Sequence, residues 1–267
     1  MLTQQKLAAS IALALLIASS DAFAAHPTVY VVTAPTAQQF GTVDLVTGAF
    51  TQIGPSTPEP QVDLVPGPNG SLLSLTFSGN LESIDPTTGT TTVIGATGLG
   101  SLANELAELD GKLYMTDFSN NFYTVNPATG AATLVGPTGM PAVPPADLFD
   151  ESFYGVKGKL FTTFDSLFVP CGTLDVTPAL YQINPSSGVA TVIGDTQYTL
   201  MGNLSASVLV ENTFYVFKEL ASAPSPPAPS AARVFTLNLT NGDLRFVSNV
   251  DTTAMAILGA SPVSKKY

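Results

Sequence analysis

Phe122-Tyr123-Thr124-Val125-Asn126-Pro127-Ala128-Thr129-Gly130-Ala131-Ala132-Thr133-Leu134-Val135-Gly136 reads as a β-hairpin. Apolar and polar residues alternate on both sides of the centre, which is the period of a strand and not of a helix. Asn126 opens a type I turn by bonding its own backbone, and Pro127 pre-sets the next φ. Gly130 takes the left-handed position that a Cβ would penalise.

The same phrase recurs along the chain. It reads Val43-Asp44-Leu45-Val46-Thr47-Gly48, Ile84-Asp85-Pro86-Thr87-Thr88-Gly89, Ile183-Asn184-Pro185-Ser186-Ser187-Gly188 and, more loosely, Leu237-Asn238-Leu239-Thr240-Asn241-Gly242. The five turn glycines are spaced by 41, 41, 58 and 54 residues. Four copies run into a short strand that ends in glycine, at Gly54, Gly95, Gly136 and Gly194. A period of about 40–50 residues marks a propeller or solenoid array.

Upstream of every copy but the first lies a second hairpin, turning at Pro68-Asn69-Gly70, Asp110-Gly111, Lys157-Gly158 and Glu211-Asn212. Apolar strands follow these turns: Leu72–Phe77, Leu113–Phe118, Leu160–Phe164 and Phe214–Phe217. Each unit thus has four strands, A to D, which is one propeller blade. The first unit begins directly with a B-like strand, Val29–Val32, and the last apolar segment, Ala254–Leu258, follows the fifth D strand with no B strand after it. The fold expected is all-β: a five-bladed β-propeller, closed by pairing the C-terminal strand with the N-terminal blade. Closure removes an exposed edge that would promote aggregation.

Composition narrows the chemistry. Charged residues make up 11% of the 267, and the formal net charge is −11. That charge argues against nucleic-acid binding, which needs a basic stripe. One Cys, Cys171, excludes an intrachain disulfide, and with His26 as the only His the usual zinc ligand sets are excluded too. His26 is expected on a mobile N-terminal end and not as the base of a Ser–His or Cys–His nucleophile. Cys171 sits between Pro170 and Gly172 with no His near it in sequence. Gly98-Leu99-Gly100 opens no helix and is no phosphate loop. Asn69, Asn203 and Asn238 lie in glycosylation sequons, which matter only in a source that glycosylates.

Residues 1–24 have the form of a signal peptide. Lys6 precedes an apolar run from Leu7 to Ala18, and Ala22-Phe23-Ala24 offers a cleavage site. The run is too short to span a bilayer comfortably, and the polar C-terminus carries no anchor. The expectation is a signal peptide at 1–24 and one propeller domain at 25–267, secreted or periplasmic, monomeric and without a membrane span.

Two stretches carry a resemblance. Val29-Tyr30-Val31-Val32-Thr33 followed by a D-x-x-T-G phrase, and Leu113-Tyr114-Met115-Thr116-Asp117 followed by the hairpin quoted first, resemble repeats of secreted bacterial β-propellers of the YVTN-like group. Many of these carry an L-Y-x-I-D-P-x-T-G-x-x-T-x-I-G phrase. The resemblance spans essentially the whole mature chain. It implies the fold and no particular activity, because the shared residues form turns and core strands and most of the group has no assigned role.

The long connections all fall on one rim, that of the B–C and D–A loops. They are Ser166–Pro178, Leu220–Ala232 and Pro137–Ala146. Stiffened loops gathered on one rim make it the expected ligand face. The A strands bring polar groups to the same end: Asp63, Asn104, Glu105, Asp147, Asp150, Glu151 and Asn203. Converging carboxylates there can hold Ca²⁺ through oxygen ligands, or act as acid and base on a glycosidic bond. They can equally cap turns on a solvated rim. Phe122, Phe153, Phe161 and Phe214 are expected to pack between blades, and the absence of Trp counts against a lectin platform.

The functional expectation is a non-catalytic binding or interaction module for a protein, glycan or small ligand. The alternative is a propeller-type hydrolase or lyase using the channel carboxylates, with or without Ca²⁺. Mass analysis of exported protein should show an N-terminus at Ala25; material retaining residues 1–24 would contradict the leader.

Overall fold

The computed structural model describes residues 26–34, 38–57, 59–140, 152–164, 179–195, 204–218, 232–250 and 256–263. Their strands form five four-stranded antiparallel sheets. The second blade is β4 (Gln61–Pro66), β5 (Leu72–Thr76), β6 (Asn80–Ile84) and β7 (Thr91–Ala96). The third is β8 (Ala103–Leu109), β9 (Lys112–Asp117), β10 (Asn121–Val125) and β11 (Ala132–Pro137). The fourth is β12 (Ser152–Val156), β13 (Lys159–Phe164), β14 (Ala179–Ile183) and β15 (Ala190–Asp195). The fifth is β16 (Leu204–Val210), β17 (Thr213–Lys218), β18 (Arg233–Leu237) and β19 (Leu244–Asn249).

The first blade takes β1 (Thr28–Ala34), β2 (Phe40–Asp44) and β3 (Phe50–Gln52) from the start of the chain and its inner strand, β20 (Ala256–Pro262), from the end. The closure expected from the sequence is therefore present. Its strand lies further along than the expected Ala254–Leu258, with Val29 opposite Pro262 and Ala34 opposite Ala256.

The repeated phrase forms the same turn five times. The backbone N–H of Gly48, Gly89, Gly130, Gly188 and Gly242 donates at 2.8 Å to the carbonyl of Asp44, Asp85, Asn126, Asn184 and Asn238 respectively. The side-chain oxygen of each Asp or Asn accepts a second backbone N–H, as from Val46 to Asp44 or Ala128 to Asn126, both at 2.9 Å.

These glycines have a second task that reading them as turn formers does not reveal. Each turn meets the outer-strand end of the blade before it. A Cβ on Gly95 would overlap the carbonyl oxygen of Thr129, and one on Gly130 would overlap that of Gly95. Gly89 faces the Ile53 carbonyl oxygen in the same way, at 2.7 Å from an added Cβ, and Gly194 faces that of Asn241 at 2.8 Å. The last blade meets the first likewise. Gly48 leaves no room for a Cβ beside the Asn249 carbonyl, and Ser248, where other blades have glycine, donates its hydroxyl to the Leu45 carbonyl at 2.8 Å.

Apolar side chains fill the space between blades. Val32 and Phe40 of the first blade pack on Leu64, Leu72 and Ile84 of the second. Phe122 meets Phe153 edge-on at 6.2 Å, and Tyr154 lies 4.0 Å from Phe214, so the expected aromatic packing between blades is present. Bulges recur in the outer pair of the second to fifth blades, between Leu81 and Glu82, Phe122 and Tyr123, Leu180 and Tyr181, and Val234 and Phe235. They bend and twist the exposed outer edge, which blunts its pairing with other chains.

Gly95→Ala should be the more damaging of two matched changes. Its Cβ meets backbone of the next blade, so a loss of about 3 kcal/mol is expected, the upper end for overpacking. Gly111, at φ +79°, has nothing within 4 Å of an added Cβ, so Gly111→Ala should cost about 1–2 kcal/mol, from the left-handed backbone alone. Denaturant unfolding of both variants checks this; equal losses would refute the blade-to-blade role of Gly95.

Candidate functional site

The inner strands surround the channel, and their registers reveal which residues are equivalent. The B-strand residues Leu75, Thr116, Thr163, Phe217 and Val32 stand opposite Asp63, Glu105, Ser152, Ala206 and Gly259. These five form one level of the channel wall. A bulge precedes four of them, and the extra residue is Val62, Asn104, Ser205 or Leu258. Two carboxyls thus share a level with three small residues. Gly259 has to be small, because a Cβ there would come within 2.5 Å of the Leu64 nitrogen.

Asp63 is 6% exposed and spans two blades. Its Oδ1 accepts the backbone N–H of Leu64 at 2.6 Å, and its Oδ2 accepts that of Leu106, on the next blade, at 2.8 Å. The side chain of Glu105, also 6% exposed, hydrogen-bonds to Asp63. Two carboxyls joined by a hydrogen bond need one proton between them. Burial pushes Asp63 up to about 7, and the three hydrogen bonds only partly oppose it. The two carboxyls are thus buried and hydrogen-bonded between neighbouring blades.

Around this pair several polar atoms lack a hydrogen-bond partner among the described residues. They include Asn104 Nδ2, Thr116 Oγ1, Ser152 Oγ, Thr163 Oγ1 and Ser205 Oγ, all on residues at most 5% exposed. All belong to the third, fourth and fifth blades at or next to the level of Asp63 and Glu105. An unpaired buried polar group costs about 1–3 kcal/mol, so each of these needs a partner beyond the described protein atoms, ordered water included.

Of the seven expected site residues, the structure brings Asp63 and Glu105 together and places Asn104 in the bulge beside Glu105. Asp147, Asp150, Glu151 and Asn203 lie outside the described residues, as does Cys171 with most of the long connections. His26 corrects an expectation: its Nδ1 is 2.9 Å from Asp44 Oδ2, so this end is tied to the first turn. Burial acts to raise Asp44, but the Thr47 and Val46 N–H groups and His26 outweigh it and hold the carboxyl below its usual value. Among the described residues no group of three or more His, Cys, Asp or Glu is placed to hold a metal.

Sequence reasoning passed over Ser152 and Ser205, which look like ordinary strand residues, and Gln61 and Glu82 of the second blade. Strand register is the signal that finds the serines, since each aligns with the acidic pair or its bulge only once the sheets are paired. It also missed a depression of about 280 Å³ on the opposite rim, lined by Asn212, Thr213, Asn238, Asp243 and Arg245 of the fifth blade.

No family model and no curated protein matches the chain. Solved structures similar to it include a protein of unknown function from Bacteroides thetaiotaomicron VPI-5482, at 14% identity and a TM-score of 0.53, covering 79% of this chain and 52% of that one. The chain thus spans about half the length of that relative. A protein of unknown function from Bacteroides caccae is similar at 10% identity and a TM-score of 0.51, covering 90% of this chain and all of the other. The Dos1 propeller matches at 15% identity and a TM-score of 0.40, over 89% of this chain and 64% of that one. The similarity is one of fold.

The shared proton makes stability depend on pH. Asp63 titrates near 7 when folded and near 3.8 when unfolded. Between these values the native state holds more protons, so stability falls as pH rises from about 4 to 7 and levels off above. Asp63→Asn should remove much of that slope. Urea unfolding across this range tests it, and an unchanged slope would exclude the pair as its source.

Proposed function

We propose that the chain is an exported, non-catalytic binding module whose ligand enters the channel from the rim of the B–C and D–A connections. The observation that carries this reading is the wall of buried polar atoms beside Asp63 and Glu105 that have no partner among the described residues. In a fold built from repeats, equivalent inner positions tend toward similar small or apolar residues. Here they have diverged into carboxyls, an amide and hydroxyls at one end of the channel.

The chemistry favours a neutral ligand rich in hydroxyls, such as a glycan. Asn104 Nδ2 donates, and the Ser and Thr hydroxyls both donate and accept. Asp63 is already engaged by two backbone N–H groups and Glu105. The hydrolase alternative has less support from this pair. Hydrogen-bonded carboxyls lie closer than the about 5–5.5 Å of retaining glycosidases, and well short of the spacing that admits a water. Calcium at this mouth depends on what Asp147, Asp150 and Glu151 add to Glu105.

Screening the full chain against an oligosaccharide array, followed by calorimetric titration of the glycans retained, tests the reading. Asn104→Ala and Glu105→Gln should each weaken binding about tenfold or more, the loss of one or two buried hydrogen bonds. Glycans that bind both variants as they bind the parent would place the site elsewhere. An array with no retained glycan would remove the glycan as ligand.

A further inference from the structure

Glu82 stands where the third to fifth blades place a ring. Its register partner is Ser74, and the corresponding C-strand residues are Tyr123, Tyr181 and Phe235 in the third to fifth blades and Gly41 in the first. At this position the second blade substitutes a carboxylate, and it is 5% exposed. Leu72 and Ile84, on the same face of the sheet, pack against Val32 and Phe40 of the first blade. Glu82 therefore faces the cleft between the first and second blades.

Gln61 reaches into the same cleft. It is fully buried, and both its backbone groups are held by Gln38 of the first blade. Its N–H donates to Gln38 Oε1 at 2.6 Å, and its carbonyl accepts from Gln38 Nε2 at 2.9 Å. Its own side-chain amide lies against Glu82: Nε2 donates to Glu82 Oε2 at 3.5 Å, while Oε1 has no partner among the described residues. Glu59, on the connection entering the blade, accepts the Ser78 N–H at 3.3 Å and the Ser78 hydroxyl through Oε1. Burial, opposed by Gln61 and helped by repulsion from Glu59, holds the Glu82 carboxyl above its usual value. No cationic side chain pairs with Glu59 or Glu82 among the described residues.

We propose that Glu59, Gln61 and Glu82 form a site for a hard divalent cation, Ca²⁺, in the cleft between the first two blades. The cleft brings two carboxylates close enough to repel, with no cationic side chain paired to either among the described residues. An unpartnered amide oxygen, fully buried and belonging to the amide that touches Glu82, is what such an ion would bind. Two carboxylates and an amide carbonyl supply part of the six to eight oxygens that Ca²⁺ takes, with water for the rest. Mg²⁺, which requires near-ideal octahedral geometry, fits this mixed set less well. This site is separate from the channel pair, which lies on the opposite face of the second blade, toward the third.

The test uses the full exported chain after treatment with a chelator. Thermal unfolding is followed in CaCl₂ and in NaCl of matched ionic strength, for the parent, Glu82→Gln and Glu105→Gln. Calorimetric titration with CaCl₂ gives the stoichiometry. One ion per chain is expected. At one hundred times Kd, Tm should rise by about 5–10 °C in the parent and in Glu105→Gln, and not in Glu82→Gln. Glu59→Gln, at a half-exposed position, should weaken Ca²⁺ binding at least tenfold and keeps the test available if Glu82→Gln fails to fold. Equal responses to CaCl₂ and NaCl, or an unchanged response in both Glu59→Gln and Glu82→Gln, overturn the site. A Ca²⁺ response lost only in Glu105→Gln overturns it too, assigning the ion to the channel mouth. Absence of Ca²⁺ binding together with a Glu82-dependent fall in stability toward neutral pH also overturns it, since a proton would then bridge Glu82 and Gln61.

Discussion

The close approach of one blade's turn to the preceding blade's outer strand is the constraint on which the ring depends. Five repeats of one phrase produce five copies of this contact. In each, backbone meets backbone at a distance that admits no Cβ, or nearly none, on one side. The last copy, Gly48 against Asn249 with Ser248 bonded to Leu45, joins the end of the chain to its beginning. Pairing of β1 with β20 then locks the same junction from the channel side.

A ring held this way has equivalent positions, and departures from equivalence stand out. Most inner positions are apolar, as interiors require. Asp63 and Glu105 break that rule at one level of the channel, and the hydroxyls and amide of the next blades break it beside them. Glu82 breaks it in the cleft, where its counterparts in the third to fifth blades are aromatic. Burying a carboxyl is costly unless it is paired or neutralised. Asp63 meets the cost with two backbone N–H groups and a shared proton. Among the described residues Glu82 has one long hydrogen bond, from Gln61, so the two acidic sites differ chemically.

The fold was legible in the sequence because its signal is local. An Asx turn followed by a left-handed glycine depends on four or five consecutive residues, and strand alternation on five or six. Repetition at near-constant spacing then carries the local signal to the whole architecture, including the displaced inner strand of the first blade. That the glycines also serve as contact points between blades was not legible, since a turn glycine and a contact glycine look alike in sequence.

The sequence by itself determined the hairpins, the four-strand unit, the count of five and the closure, and it marked Asp63, Asn104 and Glu105 as polar residues of inner strands. Tertiary structure decided what those residues are. Whether a carboxylate is solvated, paired or proton-sharing depends on neighbours about 40 residues away, as with Asp63 and Leu106. Bulges shift the inner-strand register by one residue, so linear spacing cannot say which side chains share a level. Only the packed blades bring Gln61, Glu82 and Gln38 to one cleft. Burial and partner choice belong to the packed ring, and those two quantities set the charge and chemistry of a site.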